Sequence, residues 1–323
     1  MKEFLIRKIE IRDPQYLELN QAIGGVFNDP AWLELFGSRL RLYGIFDGRE
    51  TLIGAFNLLH TRIYGLKYLK NPLCTPHNAL IYKNEGESVY KRNAFEKSLH
   101  TSIAAFLKTR NASVIQFGLA PEMKDVQPYL WEGFKVSPSY TYQLNLNIDQ
   151  NQILAGFDGK LRSDIAKAGK DGVTVEKTED FISVGALVRK SLDRRPTTED
   201  GRSIERILSE YPKTGKSFAI SANRNGRMIA AAYCVFDSTT AYYILGGYDP
   251  DQKQRGAAAF ALQGAILHAR SIGLKVFDFE GSMVPSIEAF FRGFGGELVP
   301  RFTVHWAKLP VEMALKFIKR SVY

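Results

Sequence analysis

Apolar residues recur along this chain at two spacings: every second position, which marks strands, and every third or fourth, which marks helices. "DPQYLELNQAIG" predicts a helix with Asp13 as N-cap, Pro14 at the first helical position and Gly24 at its end. "DPAWLELFG" repeats the device with Asp29, Pro30 and Gly37. "RLYGIFDGRETLIGAFNLL" predicts a hairpin turning at Asp47-Gly48, a pair suited to positive φ. In "AFEKSLHTSIAAFLKTR", Phe95, Leu99, Ile103 and Phe106 fall on one helical face. "SVIQFGLA" follows as a short strand. The second half predicts a hairpin at Asn225-Gly226, a strand "AYYILGGYD", an alanine-rich helix ending near Gly273, and a strand "KVFDFEG".

The order of these elements repeats. "VIQFGLAPEMKDVQPYLWEGFKVSPSYTYQL" (114–144) and "VFDFEGSMVPSIEAFFRGFGGELVPRFTVHW" (276–306) each read as strand, short proline-bearing helix, aromatic-x-Gly-Phe turn and strand. The turns run from Trp131 to Phe134 and from Phe291 to Phe294. One supersecondary plan used twice predicts two domains. We place them at 1–145 and 146–310, with 311–323 as an amphipathic tail that packs back on the body or touches a membrane. No Gly/Ser/Pro-rich linker separates the two.

Length agrees, since single cores stop growing near 250–300 residues and this chain has 323. A content of 45% hydrophobic and 24% charged residues excludes a disordered or fibrous chain. No apolar run reaches the length of a membrane span. The start, "MKEFLIRKIEIRDP", lacks the apolar region and cleavage site of a signal peptide. Cys74 and Cys234 lie in different halves among apolar residues, which predicts buried free thiols in a reducing compartment. The expected location is the cytoplasm, with the inner face of the membrane open to it. The net charge of +9 favours anionic partners, although moderate lysine excess also serves solubility alone.

Four segments carry candidate chemistry. "FDGKLRSDIAKAGKDGVTVE" gathers Lys160, Arg162, Lys167 and Lys170 on one short helix, either an anion-contacting surface or a solvated face balanced by Asp158, Asp164 and Asp171. "KSLDRRPTTEDGRS" holds Arg194 and Arg195 in a loop, where paired guanidinium donors grip phosphate or carboxylate. "GGYDPDQKQRGAAAFALQGAILHA" follows a strand and opens a helix, the geometry in which N-terminal amides bind a phosphate or carbonyl oxygen. There, Lys253-Gln254-Arg255-Gly256-Ala257-Ala258 is similar to the Arg/Gln-x-x-Gly-x-Gly/Ala pyrophosphate loop of GNAT acetyltransferases, with Lys at the first place and Ala at the last. Finally, "VFDFEGSMVPSIEAFFRGFGG" ends its strand on Asp278 and Glu280. Alternation puts these acids on one face and Phe277 and Phe279 on the other, so the acids are candidates for holding or deprotonating an amine. The alternative is that one acid caps the following helix or pairs with Arg292. The five histidines are scattered, and no Ser-His-Asp signature, Walker loop or H-E-x-x-H is present.

Taken in order, these segments resemble the FemAB/FemX-like peptidyltransferases. The resemblance covers most of the chain. It is sharpest at Arg162-Ser163-Asp164-Ile165-Ala166-Lys167-Ala168 after the "LNLN" strand, and at "DFEGSMVPSIEAFFRGFGGELVP", where Arg292 stands in place of a frequent lysine. Two family features are missing: a long helical hairpin arm in the second half, and an Arg-Gly-Pro turn where Asn71-Pro72-Leu73 stands here. The resemblance implies an α/β (α+β) fold of two tandem GNAT-like acyl-CoA N-acyltransferase-type domains, with mixed central sheets flanked by helices.

The function it implies is an acyl- or aminoacyltransferase that forms an amide bond on an amine of a cell-envelope or glycan precursor. The donor would be acyl-CoA or aminoacyl-tRNA, with no permanently bound cofactor and no metal. The acceptor would be a small or lipid-linked anionic molecule, contacted by Lys160, Arg162, Arg194, Arg195, Tyr243 and Arg292. Asp278 and Glu280 would be catalytic, and residues 253–258 would bind the donor. Two alternatives stay open: an acyl-CoA-dependent N-acetyltransferase acting on an amino sugar, and a degenerate binding module for an anionic glycan or lipid-linked precursor. Nucleic-acid binding without chemistry is disfavoured, because the aromatic residues sit at core spacing and not interleaved with lysine.

Overall fold

The computed structural model describes residues 4–192, 201–252, 254–281 and 283–318. They divide into two units, 1–139 with 300–323, and 140–299.

In unit 1, strand β1 (Leu5–Ile9) leads to α1 (Pro14–Ile23), which is built as its sequence predicts: the Asp13 side chain accepts from Gln15 N, and Gly24 is the C-cap. Helix α2 (Pro30–Glu34) is capped by Asp29 but is only five residues long, and a 3-10 turn at Gly37–Arg39 follows it. Strands β2 (Leu40–Phe46), β3 (Leu52–Ile63) and β4 (Leu66–Lys70) form an antiparallel meander, and β5 (Ile81–Tyr82) pairs with β3. The β2–β3 turn places its positive φ at Glu50, not at the expected Asp47-Gly48. The physical reason is the Asp47 carboxylate, which accepts from Arg49 N and Thr51 N and so organises a longer loop.

Helix α3 (Val89–Thr109) buries Leu99, Ile103 and Leu107. It crosses to β6 (Val114–Gly118), which runs parallel to β4; α4 (Gln127–Trp131) and β7 (Lys135–Asn145) follow.

Unit 2 begins within β7. Helices α5 (Gln150–Ala155) and α6 (Gly159–Lys170) lead to β8 (Thr174–Thr178), α7 (Phe181–Leu192) and α8 (Gly201–Ser209). Strands β9 (Ser217–Arg224), β10 (Arg227–Phe236) and β11 (Thr240–Tyr248) form a second meander. Its first turn sits at Asn225-Gly226, both with positive φ, as the sequence predicts. Helix α9 (Ala257–Ser271) then crosses to β12 (Val276–Asp278), which is parallel to β11, and α10 (Pro285–Arg292) follows. Strand β13 (Glu297–Ala307) carries the chain back to unit 1, which ends in α11 (Leu309–Ile318).

The two meander–helix–parallel-strand plans are therefore alike. Their last strands are exchanged: β6 is flanked by β13, and β12 by β7. The limits of the units fall at 139/140 and 299/300.

Candidate active site

Strands β11 and β12 pair over three residues only: Thr240↔Val276, Ala241↔Phe277 and Tyr242↔Asp278. Strand β12 stops there, while β11 runs on to Tyr248. On its other side β11 is bulged. Tyr233 faces Leu245 and Cys234 faces Tyr243, so Ile244 is the extra residue. A bulge bends a strand and re-aims its side chains. The β11 edge is thus left by β12 at the C-terminal end of a parallel pair, where open α/β sheets bind ligands.

Asp278 closes β12 and is only 3% exposed. Its Oδ1 accepts from Thr141 Oγ1 at 2.5 Å and from the Glu280 amide at 2.7 Å; its Oδ2 accepts from Gln143 Nε2 at 2.9 Å. Both oxygens are engaged, and the carboxylate ties β7, β12 and the following turn together. Glu280 is half-buried and has φ +59°, followed by Gly281 at +65°. A non-glycine residue in this region carries strain of order 1–3 kcal/mol, and such strain clusters at functional sites. Gly281 is required by contact as well: a Cβ there would run into the Tyr140 carbonyl oxygen.

The predicted residues lie on two faces of the sheet. Phe277 and Phe279 join the core formed with α6, α9 and α10. Asp278 points to the opposite face, beside Thr141, Gln143 and Tyr242. Burial, and then the negative charges of Asp237, Asp278 and Glu280, hold the Tyr242 phenol well above its ordinary pKa. Tyr243 packs on the helical face, edge-on to Phe291 at 5.9 Å. Its hydroxyl lies over Gly246, where any Cβ would collide with it. Burial raises its pKa too.

Arg292, at the end of α10, pairs with Glu288 at 3.0 Å, and Tyr142 donates to the same carboxylate at 2.6 Å. That hydrogen bond is the first cause of the raised Tyr142 pKa. The Asp158 side chain caps α6 by accepting from Lys160 N and Leu161 N, and its own amide donates to Gly293 O at 2.8 Å. The start of α6, with Lys160 and Arg162 exposed, is therefore fastened to the end of α10.

The loop before α9 is fixed to α6. Gly256, with φ +83°, is the N-cap, and a Cβ on it would strike the Asp164 carbonyl oxygen. Arg255 pairs with Asp164 at 2.6 Å. Gln254 accepts from Arg224 at 2.7 Å and donates to Asp171 at 3.1 Å. Ala257 is buried and Ala258 half-buried, so small residues surround the first amides of the helix. Lys253, Arg194 and Arg195 lie outside the described residues.

Thr141, Tyr142, Gln143, Tyr242 and Glu288 belong to this constellation and carried no signal in the sequence. Thr141, Tyr142 and Gln143 arrive on β7, which pairs with β12 and so joins positions about 135 residues apart; Tyr242 comes from β11 and Glu288 from α10.

This arrangement has a counterpart among known proteins. Residues 158–291 match the family model described as "Acetyltransferase (GNAT) domain". The matched stretch lies within unit 2 and runs from the cap of α6 through the loop before α9 to α10; together with the fold it supports an acyltransferase. Among solved structures the chain is similar to FemX, with 13% identity, a TM-score of 0.66, and 98% of this chain and 99% of that one covered. It is also similar to the C-terminal domain of a putative lysylphosphatidylglycerol synthetase from Agrobacterium fabrum, with 12% identity, a TM-score of 0.61 and 93% of each chain covered. A tandem GNAT protein from the clavulanic acid biosynthesis pathway gives 13% identity and a TM-score of 0.56, covering 94% of this chain and 98% of that one. These likenesses establish two GNAT-type halves with mixed sheets flanked by helices. No curated protein matches the sequence. Among the described residues, no helix is long and apolar enough to cross a membrane.

Proposed function

We propose that unit 2 forms an amide bond, moving an acyl group from an acyl-CoA thioester onto an amine of an anionic cell-envelope or glycan precursor. The observation that carries this reading is the β11 edge left open where β12 stops. The end of β11 leads to the donor loop and α9; the end of β12 leads to the strained Glu280-Gly281 turn. Both segments follow the two strands of the parallel pair, and in this reading they serve one site.

The first amides of α9, among Gly256, Ala257 and Ala258, suit the diphosphate of a coenzyme A donor, because small side chains let phosphate approach a helix N-terminus. Arg255 adds a cation at the same place, and Gln254 holds the loop to Asp171 and Arg224. The acceptor nitrogen attacks the thioester carbonyl carbon; the C–N bond forms and the C–S bond breaks. Glu280 takes a proton from the amine, and the thiolate leaves to be protonated from solvent. Asp278 sets the turn that aims Glu280. Tyr243 and the cations Lys160, Arg162 and Arg292 position the anionic acceptor; Arg194 and Arg195, outside the described residues, are assigned the same role from the sequence alone.

A second reading replaces acyl-CoA by aminoacyl-tRNA; the likeness to FemX over nearly the whole chain favours it. A lipid-linked acceptor would bring the protein to a membrane. Helix α11 offers Leu309, Met313 and Phe317, exposed by 69%, 58% and 81% at helical spacing, for peripheral contact there.

The test is calorimetry with acetyl-CoA and with aminoacyl-tRNA, followed by thiol release on adding amine acceptors. Acetyl-CoA binding with Glu280-dependent thiol release is expected. A folded sample that binds neither donor sinks the proposal.

A further inference from the structure

Unit 1 holds a second concave site, and it is strongly basic. A cleft of about 760 Å³ is lined by Arg39, Arg41, Arg62, Lys67 and Arg110 together with Tyr43, His60 and Tyr68. No Asp or Glu is among its lining residues. It lies at the starting ends of the parallel strands β4 and β6, since Lys67 and Tyr68 follow Leu66 at the start of β4 and Arg110 and Asn111 stand a few residues before β6. The candidate active site of unit 2 lies at the finishing ends of β11 and β12, so the basic cleft is not its counterpart.

The cations are held against their own repulsion. Arg62 and Lys67 are directly opposed across β3 and β4, a like-charge pair that destabilises a sheet. Arg110 is fixed in orientation: its guanidinium lies 4.2 Å over the Phe106 ring and donates to Thr109 Oγ1 at 3.2 and 2.8 Å. The positive charges of Arg41 and Arg110, after burial, lower the His60 pKa to about 4, so both charges converge on one imidazole. His60 Nε2 is 3.2 Å from the Tyr43 hydroxyl. Convergent cations with no carboxylate in the lining are stabilised by an anion with several oxygens, for which guanidinium groups supply paired donors. The volume falls within the roughly 300–1,000 Å³ of small-molecule sites. A flat patch for a membrane, or a long stripe for nucleic acid, would instead spread these charges.

We propose that this cleft binds a small molecule through a diphosphate group. Arg41, Arg62, Lys67 and Arg110 hold the phosphoryl oxygens, and Tyr68 lines the wall against the rest of the molecule.

The experiment is calorimetry of the full chain with inorganic pyrophosphate, on wild type and on the double variant Arg41→Ala/Arg62→Ala. Both positions are exposed, so the variant is expected to melt like wild type. Expected are one site per chain, affinity that falls with added salt, and a loss of at least about tenfold in the variant, the scale of one charge-assisted hydrogen bond. NMR of His60 adds a readout that loose surface binding would not move: pyrophosphate should raise its pKa from about 4 by neutralising Arg41 and Arg110. Absence of binding, equal affinity in the variant, or an unmoved His60 overturns the proposal. So does a defect of the variant that appears only with an RNA duplex or with anionic phosphatidylglycerol vesicles. Arg110→Lys, which keeps the charge and loses the fork, should weaken binding less than the double variant; a larger loss would count against the phosphoryl contacts named here.

Discussion

The ends of β6 and β12 occupy the same place in the repeated plan and are built differently. In unit 1, β4 pairs with β6 over Tyr68↔Val114 and Leu69↔Ile115, and then the 71–80 loop folds back over the strand end. Asn78, fully buried, donates its amide to Gly118 O at 2.9 Å and accepts from Gly118 N at 2.7 Å. Its side chain also donates to Asn57 O at 2.8 Å, while Asn57 N donates to Asn78 O at 3.0 Å. A Cβ on Gly118 would lie 3.0 Å from the His77 Cα, so the loop and the strand end are in close contact. In unit 2 the corresponding connection, from β11 to α9, is shorter, 249–256 against 71–88, and β11 continues past the end of β12. Where unit 1 has Gln116 and Gly118, unit 2 has Asp278 and Glu280. One copy is sealed by a loop and carries no acids; the other is open and carries two. The loop, not the sheet, distinguishes the two strand ends.

The comparison breaks most sharply at Glu280. Glu280→Gln is expected to lower acyl transfer by about 10²–10⁴-fold, the range of general acid–base catalysis, with acetyl-CoA affinity unchanged by calorimetry. Gln116→Asp, which places the counterpart of Asp278 in the sealed copy, is expected to add no turnover. Equal activity of the Glu280 variant would remove the acid from the mechanism.

The next effect is on stability at the sealed end. Asn78→Ala leaves Gly118 N and Asn57 O without their partner, each buried orphan costing about 1–3 kcal/mol. Chemical denaturation should show unit 1 weakened by that order, while acetyl-CoA binding at unit 2 persists. Gly281→Ala tests the open end. It combines a left-handed φ with a collision against the Tyr140 carbonyl, so a loss of about 1–3 kcal/mol and reduced turnover are expected together. A variant as stable and active as wild type would show that the turn is not under strain.

The smallest effect is on pH dependence. His77 and His100 in unit 1 are held neutral by burial, with pKa values lowered to about 3 and about 4 from the ordinary 6.5. Between those values and 6.5 the unfolded chain binds protons that the native one does not, so stability rises with pH there. The stability these histidines contribute is fully present above pH 6.5 and is lost as pH falls toward 4. Hydrogen exchange should find unit 1 opening before unit 2 across that window. His100→Asn, which removes one titrating ring beside the Tyr129 hydroxyl, should flatten the dependence.

Local chemistry explains why so much of the fold could be read in advance. Asp13-Pro14 and Asp29-Pro30 cap their helices as expected, because capping needs only a side-chain oxygen and a nearby amide. Asn225-Gly226 takes its two positive φ angles for the same reason of local sterics. Asp47-Gly48 did not, because the Asp47 side chain selected another turn. At the site, the sequence pointed to the acids at the end of "VFDFEG" but ranked them as equals. Asp278 is locked by Thr141 and Gln143, and Glu280 sits on the strained turn beyond it. That division of labour depends on which strand lies beside β12.

The sequence by itself determined the two-fold plan, the places of most helices and hairpins, and the segment that carries the acids, since spacing, caps and turns act over a few residues. Only the tertiary structure decided that β7 and β13 each run from one unit into the other, that a loop closes one strand end and leaves the other open, and that five cations converge in one cleft of unit 1. Those outcomes rest on pairings between residues far apart in the chain, where hydrogen bonding and packing, not local preference, choose the neighbour.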